Sequence, residues 1–177
     1  MRRNLDTYYS PHSVINWYLT HSLYKPLPGQ IILEPCSGDG SISNYLDLNG
    51  KCTVITNDID PTVRANTRMD AALPYAWRLF PSVDWVITNP PFYAAMDILK
   101  RAFDHVDVGV AFYVRKSFTE PVFARREWLD DHSEYLRQII YCPRLSFTGD
   151  GKRDTQSCDW LIWTRDPGSC TVTWVSK

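Results

Sequence analysis

The tetrapeptide Asn89-Pro90-Pro91-Phe92 contains the residue types in this chain that are best suited to chemistry. Two prolines fix the backbone and lack amide donors, so the neighbouring carbonyl groups point outward without local competition. These carbonyls and the side-chain oxygen of Asn89 can accept both hydrogens of an –NH2 group and turn its lone pair toward an electrophile. Phe92 adds a flat apolar face on which a base can stack, a contact worth roughly 1–3 kcal/mol. The pattern predicts a site that positions an amino group; the alternative is a proline loop with a buried phenylalanine.

An acidic loop with two glycines follows a short apolar run earlier in the chain. Glu34 and Cys36 precede Gly38-Asp39-Gly40, and the glycines allow a tight turn and a close approach to a ligand. The loop does not match the GxGxxG pattern and lacks a P-loop lysine, and its two acids would repel a phosphate. It therefore favours a ligand with a cationic centre, an ammonium or a sulfonium, over the alternative of a simple glycine turn.

Three more acids follow apolar runs and are candidates for binding a nucleoside. Asp58 comes directly after a β-branched run, where a carboxylate can accept hydrogen bonds from both ribose hydroxyls. Asp60 precedes Pro61 and is predicted to cap a helix that begins there. Asp70 could accept a hydrogen bond from an adenine amino group, although alone it is indistinguishable from a surface aspartate.

Apolar patterns predict the elements that would position these loops. Helices are predicted from Ser10-Pro11 to before Pro26, over 41–48, from Pro61, over 93–105 and over 120–131. Strands are predicted over 31–33, 52–56, 84–88, 108–114, 138–141, 159–163 and 171–175, with a weak strand end at 69–71. This alternation indicates an α/β fold whose sheet is mostly parallel, is covered on both faces and binds ligands at the carboxyl ends of its strands.

Length and composition predict one globular domain in a reducing compartment. The chain has 177 residues, 44% of them hydrophobic, and a net charge of −1, so any attraction to phosphate must come from a local patch. Its start lacks the apolar run of a secretory signal, and no stretch is suited to span a membrane. Five dispersed cysteines without a CxxC pair argue against a disulfide framework or a zinc site and favour the cytoplasm. Four scattered histidines give no metal-ligand spacing, so no metal is expected.

Together, these motifs resemble those of the class I S-adenosylmethionine-dependent amino-methyltransferases, which include the N6-adenine DNA methyltransferases. The loop from Glu34 to Gly40 is similar to the methionine-binding loop of that family, and Asn89 to Phe92 is similar to its (Asp/Asn)-Pro-Pro-(Tyr/Phe) catalytic motif. The segment from Tyr8 to Pro11 resembles the Thr-Pro segment that these enzymes place over the cofactor. The resemblance implies S-adenosylmethionine as cofactor, bound by Tyr9, Ser10, Pro11, Glu34, Cys36, Gly38, Gly40, Asp58, Ile59, Asp70, Ala71 and Asn89.

The resemblance also implies a Rossmann-like class I methyltransferase domain over residues 1–177, with a seven-stranded, mostly parallel sheet. Residues 1–30 would form a helical segment over the cofactor and residues 31–177 the catalytic core, without a separate target-recognition domain. Asp58 with Ile59 resembles the ribose acid and its adenine-packing neighbour, and Asp70 with Ala71 resembles the acid that reads the adenine. The compact form is similar to small phage or bacterial orphan adenine methyltransferases.

The implied reaction is methyl transfer to an exocyclic amino nitrogen, with N6 of adenine in DNA as the expected target. The proline loop does not separate DNA adenine from an RNA base or a protein glutamine, because each presents a similar –NH2 group. N4-cytosine enzymes usually carry serine at the position of Asn89, which argues against that target. A non-catalytic subunit is a further alternative, but such subunits generally lose the glycine loop or the proline loop, and this chain keeps both.

Basic and aromatic residues in the second half of the chain are the predicted contacts with nucleic acid. Arg115 and Lys116 follow the strand predicted over 108–114, and segment 146–153 combines a basic tip with Phe147. This mixture suits phosphate contacts and base stacking, although a solvated charged loop has the same composition. The predicted substrate-binding residues are Phe92, Arg115, Lys116, Arg144, Phe147, Lys152 and Arg153. The expected partner is DNA in preference to RNA, no membrane contact is expected, and the oligomeric state is open.

Overall fold

The computed structural model describes residues 12–48, 52–120, 123–144 and 157–175. The strands are β1 (Ile31–Glu34), β2 (Thr53–Thr56), β3 (Val83–Thr88), β4 (Val106–Arg115), β5 (Leu136–Tyr141), β6 (Cys158–Thr164) and β7 (Thr171–Trp174). The α-helices are α1 (His12–His21), α2 (Ser41–Leu48), α3 (Pro74–Leu79), α4 (Ala95–His105) and α5 (Phe123–Asp131), with 3-10 turns at Lys116–Thr119 and Ser133–Tyr135. Within these residues, none of the helices has the length and apolar character needed to cross a bilayer.

The seven strands form one sheet in the order β2-β1-β3-β4-β6-β5-β7. Only β6 is antiparallel to its neighbours in the described part of the chain, whereas the other pairs are parallel. The chain turns outward from β1 to β2 and returns to place β3 on the other side of β1. Such a reversal opens a crevice at the carboxyl ends of the strands, which is where open α/β sheets bind ligands.

Alternate residues of the central strand β4 pack into two cores, one on each face of the sheet. Val110, Phe112 and Val114 face a cluster that includes Ile98 and Leu99 of α4. The intervening positions Ala111 and Tyr113 face a second cluster, to which α1 contributes Val14, Ile15 and Tyr18. Each large apolar side chain that is fully buried contributes about 1.5–3 kcal/mol, so the two cores fix the sheet and hence the strand ends.

The predicted α/β fold and mostly parallel sheet are confirmed, with differences near the second strand. The helix predicted from Pro61 is wrong: residues 61–63 form a turn, and Asp60 Oδ1 accepts hydrogen bonds from the Thr62 N–H and hydroxyl instead of capping a helix. The strand end predicted at 69–71 is also wrong, because the pairing there is reduced to one isolated bridge between Asn57 and Thr67. The sheet nevertheless has the predicted seven strands, and the predicted last strand, β7, forms its edge beside β5.

Candidate active site

One open cleft lies at the carboxyl ends of β1, β2 and β3. It encloses about 870 Å³, including open solvent at its mouth. Four segments that are distant in sequence line it: Cys36 and Gly38 after β1, Asp58 to Asp60 after β2, Met69 to Ala71, and Asn89 to Ala94 after β3. The cleft therefore brings together most of the predicted cofactor residues and the whole predicted catalytic tetrapeptide.

The carboxylate of Asp58 connects two walls of this cleft. Its Oδ2 accepts a hydrogen bond from the Gly38 N–H at 2.8 Å, and its Oδ1 accepts one from the Asp60 N–H at 2.9 Å. The first bond requires the tight glycine turn, in which Gly38 and Gly40 have φ values of 52° and 79°. A carboxylate offers about four lone-pair sites, so Asp58 keeps acceptor capacity for ligand hydroxyls.

Asn57, which the sequence analysis did not single out, holds the loops around the cleft in place. It is completely buried. Its Nδ2 donates to the carbonyls of Pro35 and Met69, and its Oδ1 accepts from the Met69 N–H and the Thr67 hydroxyl, all at 2.9 Å. These bonds tie the loop after β1 to the segment that carries Asp70. The only signal in the sequence is a polar residue between the β2 pattern and Asp58.

The predicted adenine contacts lie along one wall. Asp70 Oδ1 accepts a hydrogen bond from the Ala72 N–H at 2.9 Å, which closes a turn and orients the carboxylate. Ala71 is buried, whereas the side chain of Ile59 is 48% exposed although both residues line the cleft. An exposed apolar side chain beside two acids suits a ring that has one apolar face and polar edges.

Glu34 and Gly40 were also predicted to contact the cofactor, but neither lines the cleft. Glu34 is 1% exposed and its Oε2 has no hydrogen-bond partner among the described residues. Burial raises the pKa of Glu34 well above its usual value, and the charges of Asp39 and Asp58 act in the same direction against a hydrogen bond from Ser43. The carboxyl therefore favours its neutral form and is part of the interior behind the glycine turn.

Cys36 lines the cleft, yet its environment disfavours a nucleophile. Burial raises the pKa of the Cys36 thiol, and the charges of Asp58, Glu34 and Asp70 raise it further. The thiolate is the nucleophilic form of cysteine, so a thiol that holds its proton this strongly is inert. These surroundings favour a packing role for Cys36, in which a small side chain fits beside the cleft.

All four residues of the predicted catalytic tetrapeptide line the same cleft as the acids. Asn89 is half-buried and Pro90 is buried, and the Pro91 carbonyl accepts the Ala94 N–H at 3.0 Å in the turn that leads into α4. Phe92 is half-buried, and the guanidinium carbon of Arg115 lies 3.9 Å from the centroid of its ring. Tyr93, which the sequence analysis did not single out, also lines the cleft and is 63% exposed.

The other predicted substrate contacts have different surroundings. Lys116 Nζ lies 3.7 Å from Asp159 Oδ1 and 5.3 Å from the ring centroid of Tyr141, so a buried acid engages its charge. Burial raises the pKa of Asp159 to about 6, against the opposing effects of the Cys142 N–H and Lys116. Arg144 is exposed and does not line the cleft. The predicted contacts Tyr9, Ser10, Pro11, Phe147, Lys152 and Arg153 lie outside the described residues.

No protein-family model matches the sequence, and no curated protein matches it either. Solved structures do match the fold. A Listeria monocytogenes protein assigned to the class I S-adenosylmethionine-dependent methyltransferases is 16% identical, with a TM-score of 0.66 over 100% of this chain and 68% of that one. A Pyrococcus horikoshii protein assigned as an RNA methyltransferase is 20% identical, with a TM-score of 0.65 over 90% of this chain and 87% of that one.

A third similar structure is the methyltransferase subunit of a type I restriction-modification system from Streptococcus thermophilus. It is 12% identical, with a TM-score of 0.69 over 95% of this chain and 47% of that subunit, so this chain spans less than half of its length. The protein has the fold of the class I S-adenosylmethionine-dependent methyltransferases, as its motifs predicted. Its structural neighbours within that fold include one named for a restriction-modification system and one named as an RNA methyltransferase.

Proposed function

We propose that this protein transfers the methyl group of S-adenosylmethionine to an exocyclic amino nitrogen, and that its substrate is N6 of adenine in DNA. The observation that carries the proposal is the composition of the cleft at the carboxyl ends of β1, β2 and β3. Asn89 to Phe92 lie in the same cleft as Gly38, Asp58 and Asp70. A group of acceptors suited to an amine is therefore close to a set of residues suited to a cationic nucleoside.

The residues on the acidic wall fit S-adenosylmethionine. Asp58 retains acceptor capacity for the ribose hydroxyls, Asp70 can accept from the adenine amino group, and Ile59 offers an apolar surface for the ring. When bound, S-adenosylmethionine supplies a methyl group that its sulfonium has already activated.

The residues of the chain then have to orient and polarise the acceptor. The side-chain oxygen of Asn89 and the Pro90 carbonyl would accept the two amino hydrogens and make the nitrogen lone pair available. Phe92 would stack on the target base and hold it in register. None of the described residues lining the cleft is a histidine, so we propose that the released proton passes to water at the open mouth. Placement and electrostatic orientation would carry the catalysis.

Adenine in DNA is supported by the surroundings of Phe92. Phe92 with a cation over its ring suits a base next to a phosphate better than the amide of a glutamine side chain. One similar structure is the methyltransferase subunit of a type I restriction-modification system, and we take this as support for a DNA substrate. The second candidate is an amino group of an RNA base, and it is favoured by the P. horikoshii structure, of which this chain covers 87%.

The substrate is tested with S-adenosylmethionine labelled in its methyl group. Duplex DNA, single-stranded DNA, tRNA, rRNA and protein extract are incubated separately, and the labelled product is digested to identify the methylated atom. Label in N6-methyladenine from DNA is the expected result. Label in an RNA base or in glutamine would replace the proposed substrate, and the absence of transfer to any of them would reject the proposed activity.

The role of Asn89 is tested by Asn89→Ala. Transfer should fall by about a hundredfold or more, comparable to the loss of one oriented polar group in other active sites, while calorimetry shows unchanged cofactor affinity. Asn89→Asp keeps an acceptor oxygen at the same place, so it should retain more transfer than the alanine variant. An equal loss of transfer and of cofactor affinity in Asn89→Ala would reject this role.

A further inference from the structure

Arg115 is the last residue of β4, directly beside the strand that leads into the catalytic tetrapeptide. Its guanidinium carbon lies 3.9 Å from the ring centroid of Phe92. The side chain is half-buried, and its Nε is shielded from solvent without a hydrogen-bond partner among the described residues. The two ion pairs found in the described part of the chain, Lys116 with Asp159 and Arg126 with Asp130, do not include Arg115.

The other half-buried arginines of the described chain each donate to at least one acceptor, although the Nε atoms of Arg125 and Arg137 are shielded without a partner, as in Arg115. Arg101 donates to the Ala72 carbonyl, Arg125 to the Ser117 carbonyl, and Arg137 to the carbonyls of Asp166 and Pro167. For Arg115, the described residues provide a ring contact and neither an acceptor nor an acid. Arg101, Arg125 and Arg137 thus bind backbone carbonyls of the protein, whereas Arg115 contacts the ring of Phe92 and binds none of the described acceptors.

Leaving a half-buried guanidinium without acceptors is unfavourable. Of the five N–H donors of the group, the one on Nε is shielded from water, and shielding it without a partner costs free energy. Its contact with the Phe92 ring offsets only part of this cost. An anionic group with two oxygens in one plane would satisfy it, since guanidinium and phosphate form bidentate hydrogen bonds. Asp58, Asp60 and Asp70 line the cleft, so a phosphate is disfavoured beside them and favoured near Arg115, which is not among the lining residues.

We propose that Arg115 binds the phosphate of the target nucleotide and that, before the target arrives, its guanidinium occupies the place on Phe92 that the target base takes. This inference rests on the proposed function, because it assumes a nucleic-acid substrate. Phe92 also packs against the buried cluster that includes residues of α1, so a stacking base competes with the guanidinium for the remaining surface of the ring. Entry of the base releases the guanidinium, and the adjoining phosphate provides the acceptors that the protein lacks.

The test measures binding of a short single-stranded oligonucleotide that carries one 2-aminopurine among thymidines. Affinity is followed by anisotropy over a range of salt concentrations, and the fluorescence of 2-aminopurine at saturating protein reports stacking on Phe92. Arg115→Ala should weaken binding about tenfold and reduce the slope of log affinity against log salt by about 0.7, the value for one phosphate contact to a single strand. Quenching at saturation should be retained, because the guanidinium of Arg115 no longer covers the ring of Phe92.

Two further variants separate phosphate binding from structure. Arg115→Lys keeps the charge and should restore the salt slope but only part of the affinity, since it lacks the bidentate planar donor set. Arg126→Ala removes an exposed arginine that pairs with Asp130 on α5 and should leave all three quantities unchanged. An unchanged slope in Arg115→Ala, a loss of quenching along with affinity, or no binding by the unmutated protein would overturn the inference.

The same samples distinguish this result from a failure of the proposed function. Methyl transfer to DNA by the unmutated protein is measured in parallel. Transfer with an unchanged salt slope in Arg115→Ala rejects only the role of Arg115. Absence of transfer to any nucleic acid, with the expected change in slope, rejects the activity and leaves Arg115 as a phosphate-binding residue.

Discussion

Two regions at and around the cleft are built in different ways. On the cofactor side, which comprises Asn57 to Asp60 and Thr67 to Ala71, the polar side chains already hold protein partners: Asn57 has four hydrogen bonds, and Asp58 has two. On the target side, which comprises Phe92 in the cleft and Arg115 and Lys116 outside its lining, the described residues leave Arg115 without an acceptor. The polar groups of the cofactor side are therefore satisfied within the protein, whereas under the proposed function the substrate would complete the target side.

Asn57→Ala should have the largest effect of the substitutions on the cofactor side, and this effect should be on stability. It leaves the Met69 N–H and the carbonyls of Pro35 and Met69 without their buried partner, and we expect the free energy of unfolding to fall by about 3 kcal/mol. Urea denaturation measures this loss. Asn66→Ala is the matched control, because Asn66 is exposed although its Oδ1 accepts from Thr56. Equal losses in the two variants would show that the cofactor side does not depend on the buried amide.

Asp58→Ala should act on ligand binding more than on stability. It removes the predicted ribose acceptor and frees the Gly38 and Asp60 N–H groups, so affinity for S-adenosylmethionine should fall by about 2 kcal/mol in calorimetry. Asp39→Ala is the control, since Asp39 is exposed and accepts hydrogen bonds from Ser41 at the start of α2. An unchanged dissociation constant in Asp58→Ala would remove this residue from the cofactor site.

The same contrast explains how much of the site the sequence could predict. Gly38, Asp58, Asp70 and Asn89 each follow a strand pattern or an apolar run, and the carboxyl ends of parallel strands meet, so local patterns sufficed to bring them together. Glu34 is different, because it is the last residue of β1 and its side chain packs behind the turn. The assignment of a strand does not show whether the side chain of its last residue points into the cleft or into the protein interior.

Features that depend on distant contacts could not be predicted. The strand expected at 69–71 does not form because the Asn57 side chain, rather than a strand ladder, holds Met69 through its N–H and carbonyl. Lys116 was predicted to contact substrate, but its partner Asp159 comes from β6, which lies beside β4 in the sheet. Neither pairing has a sequence pattern, because both depend on which loops and strands become neighbours after folding.

The smallest expected effect concerns Asp159, the buried acid on the target side. Burial raises its pKa to about 6, above the value in the unfolded chain, so the folded protein binds a proton more tightly than the unfolded protein between about pH 4 and 6. Stability from this group therefore increases as the pH falls through 6, and it is lost as the pH rises. From pH 7 to pH 5, the unmutated protein should gain about 1 kcal/mol relative to Asp159→Asn in urea denaturation.

Asp159→Asn is suited to this comparison because its Oδ1 can still accept the Cys142 N–H, so the difference between the two proteins isolates the titrating group. At pH 7 the acid is ionised and retains its ion pair with Lys116, which engages that cation. A difference in unfolding free energy that stays constant between pH 5 and pH 7 would contradict the raised pKa. It would also mean that Asp159 is ionised throughout this range, so that its ion pair with Lys116 persists at pH 5 and Lys116 stays engaged there as well.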